Sequence, residues 1–399
     1  MAAYVALVLG YVLSQFYRSF LAVLATTLQA ELTLTPGDLA YASGAWFAAF
    51  ALMQFPIGYG LDQFGPRRTA AILLAIGGGG GSALFALSQN AWQLTFAMAL
   101  IGVGCAPMLM ATFYLFARNF SAVRFATLGS TFIAIGTLGN IVGTEPLALA
   151  AEAFGWRNVS WGLCGASAAV GLAIHAFVRD PQPVAGEAAG GGSYLALLRI
   201  PQLWPILPCI LLGYAVAAGV RGLWAGPFLS DMYGLSTLEV GRVTLWMAIA
   251  LSLGSLAYGP LDRLFNSRKQ VVLVGNLLVA GVAGWLALAT PTDVRVATAL
   301  LVVIGFFGAS YAVQMTHGKA FIPAAMMGRG VTLMNFFSIG GVGLMQFLSG
   351  ALVARVGETS GPAAGYSALF GFYAVTLAAA LFIYLYSTDA RPSGAANSA

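Results

Sequence analysis

Twelve apolar segments dominate the chain, near residues 3–28, 39–58, 69–88, 92–117, 125–149, 157–178, 203–229, 239–260, 270–290, 294–316, 330–354 and 364–387. At 1.5 Å of rise per residue, each can cross a hydrocarbon core of ~30 Å as a helix. Lipid offers the backbone no hydrogen-bond partners, so segments of this kind close their own bonds and the chain is predicted to be all-α. Composition agrees: 59% of residues are hydrophobic and 8% charged, and the mean hydropathy of +0.85 excludes an ordinary soluble domain. The first segment is too long for a signal-peptide core and carries Arg18 in its middle, so it is read as retained.

Basic residues orient the segments. With a cytoplasmic N-terminus, twelve of them (Arg67, Arg68, Arg118, Arg124, Arg179, Arg199, Arg263, Arg268, Lys269, Lys319, Arg329 and Arg391) fall on the cytoplasmic side. Arg157, Arg242, Arg295 and Arg355 fall opposite. Such a bias places both termini in the cytoplasm. The Pro/Gly-rich stretch after residue 179 separates two sets of six segments. The expected organisation is a six-helix bundle over 1–179, a cytoplasmic linker over 180–202 with a short interfacial helix near 194–198, a second bundle over 203–388 and a tail over 389–399. Fifty glycines, five of them consecutive at 77–81, suit helices that approach closely in lipid.

Several functions are excluded by what the sequence lacks. Cys105, Cys164 and Cys209 form no CxxC pair and the two histidines, His175 and His317, form no metal-binding spacing, so no metal or cofactor is expected. The pI of 9.2 comes from basic residues scattered over short loops, without the aromatic-studded patch that nucleic acid requires. Neither lysine lies in a nucleotide-binding loop, and no catalytic constellation is present.

Two arginines stand apart because they lie deep in apolar segments, where a charge costs about 3 kcal/mol on insertion scales and survives by facing a cavity, a partner or a ligand. Tyr11 precedes Arg18 by seven residues, and Tyr214 precedes Arg221 by the same number. Seven residues are about two helical turns, so each tyrosine is predicted to share a face with its arginine, with Gln15 and Trp224 on or beside it, and Tyr17 is a further candidate neighbour of the ligand. The pair is expected at similar depth in the two halves, without a nearby acid. Guanidinium groups keep their charge in proteins and hold carboxylates or phosphates through two parallel hydrogen bonds, so the natural ligand is an anion. Tyr311, Gln314 and His317 in the tenth segment, and Asn335, Ser338 and Gln346 in the eleventh, add polar groups at helical spacing. Glu145 is the one acid placed within a helix rather than in a loop or at a helix end, and is the first candidate for carrying a proton if transport is proton-coupled.

Between the second and third segments, Gly58, Asp62, Gly65, Arg67 and Arg68 form G-x-x-x-D-x-x-G-x-R-R. An altered copy, with Asp262, Arg268 and Lys269, follows the eighth segment. Arg124 and Arg329 are a further matched pair, before the fifth and eleventh segments. In this setting the loop resembles the signature of the major facilitator superfamily. The resemblance implies twelve transmembrane helices in two pseudo-symmetric halves and secondary transport by alternating access across the inner membrane. It also implies a gating role for these loop residues, Asp62 near the start of the eleventh helix, where the helix dipole favours an anion. Arginines on the first and seventh helices further resemble the organophosphate:phosphate antiporters and the anion:cation symporters. The function so implied is transport of a small organic or phosphorylated anion held between Arg18 and Arg221, by a protein expected to act as a monomer. No Asp or Glu occurs in the first or fourth segment, which leaves proton symport and anion exchange both open. Two alternatives remain: proton-coupled efflux of amphipathic or drug-like compounds, and a non-transporting membrane sensor or scaffold.

Overall fold

A computed structural model of the chain describes residues 1–181, 194–323 and 326–391, and all regular secondary structure among them is helical. Among the described residues nine helices are long and apolar enough to cross a membrane, and two bent pairs bring the number to eleven. One pair is the first segment, Ala2–Phe16 with Phe20–Leu32, bent by 48°; the other is in the fifth, Leu128–Val142 with Glu145–Phe154, bent by 44°. The remaining predicted segment, the second, is helical as Pro36–Leu52 and Gln54–Gln63 with an interruption at Met53, which leaves neither piece long enough to span alone. Among the described residues all twelve predicted segments are therefore helical, the first and fifth sharply bent and the second too short on either side of Met53. The interfacial helix appears as Tyr194–Leu197, whereas linker residues 182–193 and tail residues 392–399 lie outside the described residues.

Helix starts follow from local chemistry. Thr35 and Asp38 exchange the two bonds of a capping box around Pro36, and Ser236 with Glu239 repeats the device before the eighth segment. Asn90 and Ser267 each accept a backbone N–H at the starts of the fourth and ninth segments.

The chain divides into two compact units, one of Met1–Ala185 with Leu235–Thr244, the other of Gly186–Gly234 with Leu245–Ala399. In the first unit the glycine run sets the spacing of the third and fourth segments. A methyl on Gly77 would stand 2.6 Å from the Gly104 backbone nitrogen, and one on Gly104 would stand 2.0 Å from that of Gly78, so the two backbones touch directly. At one end of this unit Glu31 accepts from Trp156 Nε1 at 2.9 Å and Arg157 Nη1 at 2.6 Å, tying the first segment to the sixth. The opening of the eighth segment belongs to the same unit: Thr237 Oγ1 meets Thr26 Oγ1 at 3.0 Å, and Arg242 Nε donates to Glu145 Oε1 at 2.9 Å. In the second unit a methyl on Gly341 would lie 1.9 Å from the Leu211 carbonyl oxygen, an equally close approach of the seventh and eleventh segments.

Candidate functional site

Arg18 sits where the first helix is broken. Residues 17–19 form a turn between its two halves, with Arg18 N–H reaching Gln15 O and Ser19 N–H reaching Phe16 O at 3.3 and 3.1 Å. The turn separates side chains that an unbroken helix would stack. Tyr11, before it, is buried and stacks on Phe132 of the fifth segment, centroids 4.9 Å apart. Arg18, after it, lies over two rings of the second segment, its guanidinium carbon 4.9 Å from the centre of Phe50 and 5.7 Å from that of Trp46. Tyr11 and Arg18 thus face different neighbours, and the expectation of one shared stripe is corrected by the bend. Tyr17 turns away as well: its hydroxyl lies 2.6 Å from Ser82 Oγ and 3.1 Å from Ser167 Oγ, an anchor into the third and sixth segments. Gln15 is buried, donates to the Tyr11 hydroxyl at 2.6 Å and accepts from Asn140 Nδ2 at 3.3 Å. Among the described residues no carboxylate forms an ion pair with Arg18.

Arg221 of the second unit also lies on irregular backbone, the π-helical turn Val220–Trp224, and is only 2% exposed. Such turns occur often at functional positions because the extra residue re-aims the side chains around it. The eleventh segment braces this one: Gln346 Nε2 donates to Gly219 O at 3.2 Å, and Trp224 Nε1 donates to Ser349 Oγ at 3.1 Å. Trp224 is fully buried by that contact. Tyr214 and Tyr311 lie with ring centroids 5.7 Å apart, and the Tyr311 hydroxyl donates to Asn335 Oδ1 at 2.9 Å. All three are half-buried, and they meet across the seventh, tenth and eleventh segments. Gln314 is buried instead in a knot with Ser310 and Asn276, both amides donating to Ser310 Oγ at 2.9 and 3.0 Å.

The loop residues are tied to acids that the sequence reading did not single out. Gly65 has φ +81°, and a methyl there would stand 2.5 Å from the Asp180 carboxylate. Arg67 N–H donates to Asp180 Oδ1 at 2.8 Å, and its guanidinium lies 3.2 Å from His175 Nε2. The second unit repeats the arrangement. Asp389, just past the last helix, accepts from Ser267 Oγ at 2.5 Å and from Lys269 N–H at 3.0 Å. Lys269 Nζ adds bonds to the carbonyls of Leu385 and Ser387. Both units therefore cap their third helix with an acid that follows their sixth. The only hint in the sequence is the matched position of the two acids. Asp262 pairs with Arg268 of its own loop at 3.5 Å. Asp62 and Arg68 are exposed, Asp62 without a hydrogen bond or ion pair among the described residues, and Gly58 has open space where a side chain would stand. Arg124 is exposed. Arg329 is half-buried near Tyr194, whose hydroxyl burial pushes above its ordinary range while the Arg329 charge pulls it down. Glu145 begins the second half of the broken fifth helix, bound to Arg242 as described.

Two helical units, glycine-spaced packing and charged residues at helix breaks define a polytopic membrane carrier. The model of the Major Facilitator Superfamily matches residues 7–338, and the chain belongs to that superfamily. It is 27% identical over 401 residues to the hexuronate transporter of Escherichia coli K12, covering 92% of this chain and 89% of that one. It is 25% identical over 328 residues to the galacturonate transporter of Dickeya chrysanthemi, covering 72% and 91%. Among solved structures the D-xylose-proton symporter superposes with a TM-score of 0.76 at 14% identity, over 97% of this chain and 98% of that one. A bacterial homolog of the human lysosomal transporter Spinster, inward-facing and occupied, gives 0.75 at 17%, over 96% of each chain; both show the shared fold. The protein is a multi-pass inner-membrane transporter and not an enzyme.

Proposed function

We propose that the chain carries a small organic anion of the sugar-acid class by alternating access, with Arg18 of one unit and Arg221 of the other holding its carboxylate. The observation that carries this reading is Arg18, a guanidinium within a membrane span, resting on Phe50 and Trp46 and lacking a carboxylate partner among the described residues. A charge so placed is costly until an anion meets it. The half-buried cluster of Tyr214, Tyr311 and Asn335 is suited to the hydroxyl groups of a sugar. The relatedness to hexuronate and galacturonate transporters supports the same substrate class. In this reading Gly58, Asp62, Gly65, Arg67 and Arg68, with Asp262, Arg124 and Arg329, act in gating.

Ligand-induced thermal stabilisation of the purified protein tests the proposal, because a ligand that binds the folded state raises its melting temperature. D-Galacturonate and D-glucuronate should stabilise it, and neutral D-galactose should not; galactose 1-phosphate tests the phosphorylated class. Arg18→Lys and Arg221→Lys should each fold and bind D-galacturonate about 10- to 100-fold more weakly, the loss of a two-bond charge-assisted contact worth roughly 1.5–3 kcal/mol. Equal stabilisation by D-galactose, or full affinity in both lysine variants, would overturn the anion assignment.

A further inference from the structure

Within the first unit, Trp46 is 1% exposed, yet its indole Nε1 has no hydrogen-bond partner among the described residues. An indole nitrogen can only donate, and buried tryptophan N–H groups usually find an acceptor. The same is true of Arg18 Nε, which is likewise buried and without an acceptor. The two side chains are neighbours, the Arg18 guanidinium carbon lying 5.7 Å from the centre of the Trp46 ring. Two adjacent side chains, each with a buried donor lacking an acceptor among the described residues, are complementary to a ligand group that only accepts, such as a carboxylate.

Trp46 is also held too firmly to turn toward another partner. Its ring stacks on Phe50 at 5.2 Å with an interplanar angle of 24° and meets Phe47 edge-on at 4.8 Å. Its backbone is pressed against the fourth segment, where a methyl on Gly102 would stand 2.3 Å from the Trp46 carbonyl oxygen. A donor fixed in this way is preorganised and loses little conformational freedom when a ligand arrives.

We infer that Trp46 is a specificity-determining residue, its indole N–H donating to the same substrate carboxylate that Arg18 holds. The inference rests on the sugar-acid reading above and adds a second recognition group to it. Selectivity for the acid over the neutral sugar then comes from two donors, because a neutral analogue leaves both buried groups unmatched.

The test is titration of D-galacturonate into the purified wild-type chain, Trp46→Phe, Arg18→Lys and the double variant. Trp46→Phe keeps the ring and removes the donor, so its affinity should fall roughly tenfold or more, as for a lost charge-assisted hydrogen bond. In the double variant the losses should fall short of the sum of the single ones, because both groups act on one carboxylate. Trp46→His, which returns a ring N–H, should recover part of the affinity. In the wild-type chain labelled with ¹⁵N-tryptophan, one of the eight indole N–H resonances should move when D-galacturonate binds. Failure of the wild-type protein to bind any sugar acid would remove the underlying reading. Binding with undiminished affinity in Trp46→Phe, or with no indole resonance moving, would overturn the role of Trp46 alone and assign its N–H to structural water.

Discussion

Replacing Asp180 probes the cap that each unit builds separately on its own third helix. Its carboxylate accepts the Arg67 N–H at 2.8 Å and lies against Gly65, at the start of the helix Gly65–Leu87. Removing a helix-capping acceptor costs about 1 kcal/mol, and removing a negative charge from an exposed helix N-terminus costs a further ~0.3–1 kcal/mol. Asp180→Ala should therefore destabilise the protein by about 1–2 kcal/mol. Asp180→Asn keeps an acceptor and loses only the charge, so it should cost ~0.3–1 kcal/mol. Asp389→Ala gives up two bonds, to Ser267 Oγ and Lys269 N–H, and should cost about 2 kcal/mol by the same reasoning. Gly65→Ala adds the strain of positive φ, about 1–2 kcal/mol, and a clash with the carboxylate. In the Asp180→Ala background only the strain remains, so the two substitutions should be coupled. The assay is reversible unfolding in mixed detergent and denaturing micelles, with each variant compared to the parent. Wild-type stability for Asp180→Ala, or strict additivity with Gly65→Ala, would refute the reasoning.

Other expectations follow from single contacts. Gly104→Ala drives a methyl to within 2.0 Å of the Gly78 backbone nitrogen; overpacking of this kind costs about 1–3 kcal/mol, and a melting temperature equal to the parent's would contradict direct backbone contact. Glu145→Gln breaks the ion pair with Arg242; because the carboxylate already serves a guanidinium, the pH profile of transport should be the same in variant and parent, and a changed profile would return Glu145 to the role of proton carrier.

The apolar segments were legible because in lipid the backbone has no alternative to the helix, so length and composition decide the element. Where helices break was less legible. The turn at 17–19 contains no proline or glycine, whereas the one at 143–144 lies just before Pro146, which has no N–H to continue the helix. At each turn a local hydroxyl meets a carbonyl of the preceding helix, Ser19 Oγ donating to Phe16 O and Thr144 Oγ1 to Ile141 O. This is why spacing placed Tyr11 with Arg18 correctly for a straight helix and incorrectly for this one. Tyr214, Tyr311 and Asn335 lie on regular helix or its edge, yet that they meet depends on three segments and could not be read from spacing within one. The partners of Arg18 on the second segment, and Asp180 as the acid over Gly65, depend on which helices are neighbours, and local sequence does not encode that. Asp180 looked like the first residue of a linker because it directly precedes the Pro/Gly-rich stretch.

The break at Arg18 bears on how the protein is made. The two halves of the first helix have 15 and 13 residues, so at 1.5 Å per residue each reaches only about 20 Å, less than a bilayer core of ~30 Å. Neither can enter the membrane as a complete span, and the joint between them carries a charge whose aromatic cover, Trp46 and Phe50, belongs to the next segment to be synthesised. Stable insertion of the N-terminus is thus a joint act of two consecutive segments. In a translocation reporter fused after Leu32, the first segment should insert less completely than in one fused after Gln63, and equal insertion would show that the first segment enters unaided.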